Sequence, residues 1–170
     1  SLLYRELQMQ ANAVCHALLH QWGCEQDDRA ALMYLPGLEF IAGFWGCLFA
    51  GVVAVPVYPV DLRGAKFEVE VERFGRIVAD CEAKLVLSHS EYLSMKRLHG
   101  LANLFGSSSW PEGLEFEATD ELQPRTGCGT DYQPRPEEVA FLQFTSGSTG
   151  AKLGAPSRGA PSRGAAAWGW

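Results

Sequence analysis

The sequence predicts an α/β fold built on a mainly parallel sheet, and three observations lead there. Residues 30–55 read as strand, helix and strand, the unit that sets two parallel strands side by side. Short branched runs go on alternating with helical periodicity along most of the chain. The last such run, Val139 to Phe144, breaks abruptly into Thr145-Ser146-Gly147-Ser148-Thr149-Gly150. That puts a loop of small residues directly after a strand, where open parallel sheets bind ligands.

Taken in order, Leu3, Leu7, Ala11, Val14 and Leu18 recur at helical spacing and predict an amphipathic helix that stops at Gly23. His16 and His20 lie one turn apart on it. With no carboxylate or cysteine at matching spacing, they read as structural or solvent-facing and not as metal ligands. After the polar turn at residues 25–28, Ala30 to Leu35 predicts the first buried strand, stopped by Pro36-Gly37. A second helix follows from Leu38 to Ala50, carrying Phe40, Ile41, Phe44, Trp45, Leu48 and Phe49; Gly51 ends it, and Val52 to Val55 supplies the next strand.

No charged residue occurs between Phe40 and Val60, and about 20 apolar residues suffice to cross a bilayer. Against a span stand Gly43, Gly46, Gly51, Pro56 and Pro59, with a switch from helix formers to valines midway. The stretch reads as buried core, with a small membrane-anchored protein as an alternative.

Residues 61–65 form a polar loop. Phe67, Val71, Phe74, Val78 and Cys81 then mark a third amphipathic helix, whose Glu68, Glu70, Glu72, Arg73 and Arg76 read as its solvated side. Lys84 to Ser88 predicts a strand and Glu91 to Asn103 a further helix. Residues 106–136 are mostly connection, with a short strand at Leu114 to Phe116; long connections of this kind are often functional.

Two glycines in residues 145–150 permit close approach of the backbone to a ligand, and two serines with two threonines add hydroxyl donors. Such a loop suits phosphate, although Ser/Thr/Gly clusters after a strand are also ordinary turn material, and composition leaves both readings open. A Walker loop is excluded, because Lys152 stands where the second glycine would follow Gly147. A nucleophile elbow is excluded as well, since neither Ser146 nor Ser148 has glycine two residues away on both sides.

Gln143 to Gly150 resembles the phosphate-binding loop of the acyl-adenylate-forming (AMP-binding) superfamily, which includes acyl-CoA synthetases, nonribosomal peptide synthetase adenylation domains and luciferases. Leu35-Pro36-Gly37-Leu38-Glu39-Phe40 and Phe49 to Pro59 are most similar to the fatty acyl-AMP ligase branch. The resemblance covers residues 1–150 and rests on several stretches in the same order. It implies the N-terminal portion of the adenylate-forming fold, with an incomplete sheet and an exposed edge. It also implies ATP with magnesium, a fatty acid as substrate, and acyl carrier protein or CoA as acceptor. In the reaction it implies, the carboxylate attacks the α-phosphorus, pyrophosphate leaves, and the acyl group passes to a thiol. Thr145, Ser146, Gly147, Ser148, Thr149 and Gly150 take the phosphate-binding role by direct match. The family loop continues with any residue and then Pro-Lys-Gly. Here Lys152 stands at the proline position and Leu153 at the lysine position, so the lysine's role is not carried over.

Composition bounds the remaining possibilities. The 170 residues suffice for one domain with a core, and 47% hydrophobic content fits a globular protein. A formal charge of −6 argues against nucleic acid as a partner. Cys15, Cys24, Cys47, Cys81 and Cys128 are scattered without Cys-x-x-Cys spacing, which argues against a zinc site or a disulfide framework and for a reducing, cytoplasmic setting. The opening Ser1-Leu2-Leu3-Tyr4 has no initiator methionine or basic-then-apolar leader, so the chain reads as cut from something longer.

From residue 154 the pattern changes. Gly154-Ala155-Pro156-Ser157-Arg158 repeats at once as Gly159 to Arg163 and runs into Gly-Ala-Ala-Ala-Trp-Gly-Trp, a low-complexity tail expected to be disordered or non-native. A flexible basic linker and a coding-frame error after Gly150 are both open. The expected division is therefore residues 1–153 as the N-terminal part of an AMP-binding domain and 154–170 as tail. A non-catalytic interaction module on the same fold is the alternative from another functional class.

Overall fold

The computed structural model describes residues 4–102, 110–144 and 165–169. The described elements are α1 (Tyr4–His20), β1 (Arg29–Met33), α2 (Leu38–Ala50), β2 (Val53–Val57), α3 (Phe67–Asp80), β3 (Leu85–Ser88), α4 (Ser90–Ala102), β4 (Glu115–Ala118), β5 (Val139–Phe144) and β6 (Ala165–Gly169). The sheet order is β4-β3-β1-β2-β5-β6. The first five strands are parallel to their neighbours, and β6 alone runs antiparallel, against β5. The parallel α/β architecture is thus as the alternation of patterns predicts, and α2 keeps its expected bounds.

Successive side chains of the central strands leave opposite faces of the sheet, and both sets are buried. Ala30 and Leu32 of β1 join Leu85 and Leu87 of β3 under α1 and α2, packed with Val14, Leu18 and Cys47. Ala31, Met33 and Val86 face the other way, against Val71, Phe74 and Val78 of α3 and Leu93 of α4. With both faces covered, the central strands are apolar throughout, as a parallel sheet requires. The uncharged stretch from Phe40 to Val60 divides between α2 and β2, and no helix among the described residues is long and apolar enough to cross a membrane.

Element ends follow local chemistry. Beyond α1 the chain winds on for a turn, with Trp22 N–H donating to Ala17 O and Cys24 N–H to Leu18 O, until Gly23 at φ 61° reverses it. Gly51 closes α2 in the same left-handed conformation, its N–H reaching the Cys47 and Leu48 carbonyls. Strand β1 stops at Met33, two residues short of the expected end, because Tyr34 turns aside to bond Thr119. Strand β2 runs on through Pro56 to Val57. Pro56 has no N–H to contribute to a ladder, and β2 and β5 share one register pair, Ala54↔Phe141.

Candidate functional site

The parallel strands end together on one side of the sheet, and a cavity of about 760 Å³ opens at the carboxyl ends of β1, β2 and β5. Its walls are mostly apolar, formed by Tyr34, Phe40, Val57, Phe74, Ile77 and Phe144; Asp61, Glu70, Arg73 and Gln143 supply its polar groups. Tyr34 is fixed from behind. Its hydroxyl and Thr119 Oγ1 are 2.8 Å apart in the interior, and burial pushes the phenol far above its ordinary pKa, keeping it neutral. The position leaves no room beneath the ring, since a Cβ on Gly43 would lie 2.8 Å from the Tyr34 oxygen.

The opposite rim is held by backbone capture. Glu70 Oε2 accepts the Asp61 N–H at 2.8 Å, Asp61 Oδ1 accepts the Arg63 N–H at 3.0 Å, and Tyr92 donates its hydroxyl to Val60 O at 2.9 Å. Residues 58–63 are thereby set as a shaped edge between β2 and α3, while Arg73 stands exposed at the mouth.

The start of β5 is equally constrained. Glu138 accepts from the Tyr132 hydroxyl at 2.6 Å, the Arg135 N–H at 3.0 Å and Gln26 Nε2 at 2.9 Å. The Tyr132 hydroxyl, followed by the Arg135 N–H, holds the Glu138 carboxyl below its usual range despite some desolvation. The strand is thus anchored at one end, and at the other Gln143 and Phe144 reach the cavity wall.

Thr145, Ser146, Gly147, Ser148, Thr149 and Gly150, the phosphate loop expected from the sequence, lie outside the described residues, as do Lys152 and Leu153. His16 and His20 stack at 4.6 Å between ring centroids, and His20 Nε2 lies 3.3 Å from Gly129 O. They belong to a helix surface away from the cavity. Among the described residues, no group of three or more His, Cys, Asp or Glu side chains could hold a metal ion. The Tyr34–Thr119 and Gln26–Glu138 contacts were not legible in the sequence, because each joins residues far apart in the chain; a lone Thr119 or Gln26 carries no pattern of its own.

A parallel sheet with helices on both faces, a cavity at its carboxyl edge and a hydroxyl- and glycine-rich sequence following the strand that reaches it define an α/β domain of the ligand-binding class. The chain matches the family described as AMP-binding enzyme over residues 1–156 and belongs to it. It is 33% identical over 158 residues to the medium-chain-fatty-acid–[acyl-carrier-protein] ligase JamA of Moorena producens, covering 91% of this chain and 25% of JamA. With human Disco-interacting protein 2 homolog B it shares 29% identity over 150 residues, 88% of this chain and 9% of that protein.

Among solved structures it superposes on a fatty acyl-adenylate ligase from L. pneumophila in complex with acyl adenylate and pyrophosphate, with a TM-score of 0.64 and 26% identity. That match covers 87% of this chain and 23% of the ligase. McyG A-PCP complexed with phenylalanyl-adenylate matches with a TM-score of 0.66 and 25% identity, over 88% of this chain and 22% of that one. The chain spans about a quarter of the length of JamA and of these structures.

Proposed function

We propose that this chain forms the nucleotide-phosphate end of an ATP-dependent ligase domain that activates a fatty acid as its acyl-adenylate. The observation that carries the reading is the course of β5. It runs out at Phe144 in the wall of the cavity, at the carboxyl edge of the parallel sheet, and Thr145 to Gly150 follow it in the sequence. In this reading the hydroxyls of Thr145, Ser146, Ser148 and Thr149, with the amides bared by Gly147 and Gly150, orient the terminal phosphates and offset their charge. Their contribution is positioning and electrostatics, with no covalent step.

A fatty acid as the carboxylate substrate is supported by the likeness to JamA and to the L. pneumophila ligase. Acyl carrier protein, named in JamA's description, is the acceptor favoured here over CoA. Magnesium, implied by the resemblance, is proposed as the ion that accompanies the nucleotide's phosphates. A cytoplasmic setting is proposed on the strength of five free thiols. These 170 residues, about a quarter of the length of JamA, are expected to bind phosphate without turning over.

Calorimetric titration of ATP into the purified chain tests the reading. Ser146→Ala with Thr149→Ala is expected to weaken binding about a hundredfold or more, since each charge-assisted hydrogen bond contributes about 1.5–3 kcal/mol. Equal affinity in parent and variant sinks the loop assignment. Pyrophosphate release from the purified chain given ATP and a fatty acid would contradict the expected lack of turnover.

A further inference from the structure

The cysteines that look scattered in the sequence are gathered by the fold. Cys15 of α1, Cys24 of the following turn, Cys47 of α2 and Cys128 of the connection before β5 belong to one apolar cluster, all as free thiols. Cys15, Cys24 and Cys47 are sealed, at 0%, 4% and 0% exposure. Cys128 is half-buried, unlike these three.

Cys128 lies directly on α1. Its thiol donates to Asn12 Oδ1 at 3.5 Å and neighbours Cys15, one turn further along the helix. Bonds on either side hold it there. Arg125 N–H donates to Met9 O at 3.0 Å, Asn12 Nδ2 donates to Arg125 O at 3.2 Å, and Gly129 O lies 3.3 Å from His20 Nε2. Residues 125–129 therefore form a strap fastened along α1 at both ends, with the two thiols meeting between the fastenings.

We propose that Cys15 and Cys128 are an oxidation site, converted by a hydroperoxide into a disulfide that staples this strap to α1. Exposure sets the order of events. Hydrogen peroxide oxidises the half-buried Cys128 thiol to the sulfenic acid and is itself reduced, leaving one water. The Cys15 sulfur then attacks the Cys128 sulfur, the S–O bond breaks, and the departing hydroxide leaves with the Cys15 proton as a second water. Two thiols and one peroxide thus give one disulfide and two waters. Cys24 and Cys47 are sealed within the cluster, and Cys81 lies with Val55 and Ile77 in a cluster on the other face of the sheet.

Burial, and the neighbouring Cys128, push the Cys15 thiol well above the ordinary thiol range, so the resolving step is slow at neutral pH and quickens in alkali. A cytosolic disulfide of this kind is transient and redox-sensing, in keeping with free thiols in the reduced protein.

The purified chain is treated with hydrogen peroxide, remaining thiols are blocked with N-ethylmaleimide, and the unreduced digest is sequenced by mass spectrometry. The expected product is a peptide joined through Cys15 and Cys128, two hydrogens lighter than its parts and lost on reduction. Cys24→Ser retains it and Cys128→Ser abolishes it, and the oxidised parent melts at a higher temperature than the reduced one. Oxidation of Cys128 to the sulfinic acid without the cross-link overturns the proposal, as does a bond from Cys128 to Cys24 or Cys47. Both outcomes are read on the unmutated protein, so the result does not depend on a variant folding.

Discussion

At Gly46 helix α2 lies close against α1, and replacing it with alanine probes that packing directly. A Cβ built there would lie 2.5 Å from Val14 Cβ, 2.6 Å from Val14 Cγ1 and 3.0 Å from the Ala11 carbonyl oxygen. Ordinary carbon–carbon contact is about 3.5–4.0 Å, so a gap of about 1 Å has to open. Neither neighbour can rotate aside, since one is backbone and the other a β-carbon fixed to it. The two helices must therefore part over the sealed cluster of Val14, Leu18 and Cys47.

Overpacking of this kind costs about 1–3 kcal/mol, and the rigid contacts here place it near the upper end. Alanine in a helix recovers about 1 kcal/mol relative to glycine. The net expectation for Gly46→Ala is a loss of about 2 kcal/mol, a fall of about 4–8 °C in Tm for a domain of this size. Gly100→Ala is the control: it is helical, nothing lies within 4 Å of its added carbon, and it should gain about 0.5–1 kcal/mol. Urea and thermal melts followed by circular dichroism give both numbers. A Gly46→Ala protein as stable as its parent would refute the close-packing account of α1 and α2.

Tyr34→Phe removes the buried hydrogen bond to Thr119, whose hydroxyl can still reach Ser88 O at 3.4 Å; a loss of about 1 kcal/mol in urea unfolding is expected, and an unchanged midpoint would contradict it. Asp28 and Asp120 should make stability fall in acid. Burial opposes their charge, but the Glu25 N–H and Lys84 outweigh it for Asp28, and the Ser90 hydroxyl and N–H for Asp120, so both carboxyls are held below their ordinary value of 3.8. A group with a depressed folded pKa stabilises fully above its unfolded value and loses that contribution as pH falls through the folded one. Urea midpoints should therefore drop below about pH 4, and less steeply in Asp28→Asn and Asp120→Asn; identical slopes in parent and variants would exclude these two groups as the cause. Arg29 ties β1 to the turn after α3, donating Nε to Cys81 O at 2.6 Å and a further N–H to Glu82 O at 3.0 Å. Arg29→Lys cannot make that fork and should cost about 1 kcal/mol or more, read in the same assay.

The readable parts of the sequence were those whose signal is local. Helix α2 was fixed to the residue by its apolar periodicity between Gly37 and Gly51, and the strands declared themselves through Val52-Val53 and Leu85-Val86-Leu87. Strand ends were less legible. Tyr34 and Leu35 have strand character but leave the sheet, because a partner 85 residues away captures the tyrosine hydroxyl. The histidines at 16 and 20 suggested a pair on one helix face, and the fold supplied what the pair meets, the Gly129 carbonyl of a distant connection.

Composition and periodicity alone determined the α/β class, the order of its elements and the hydroxyl-rich sequence that follows the last parallel strand, since each is written in neighbouring residues. The tertiary structure alone decided that β3 sits between β4 and β1, that Tyr34 is locked by Thr119, and that four dispersed cysteines share one cluster. The reason is the order of the sheet. A strand inserted out of sequence, as β1 is between β3 and β2, brings together segments with no local trace of one another, and periodicity records which face is buried without recording what lies against it.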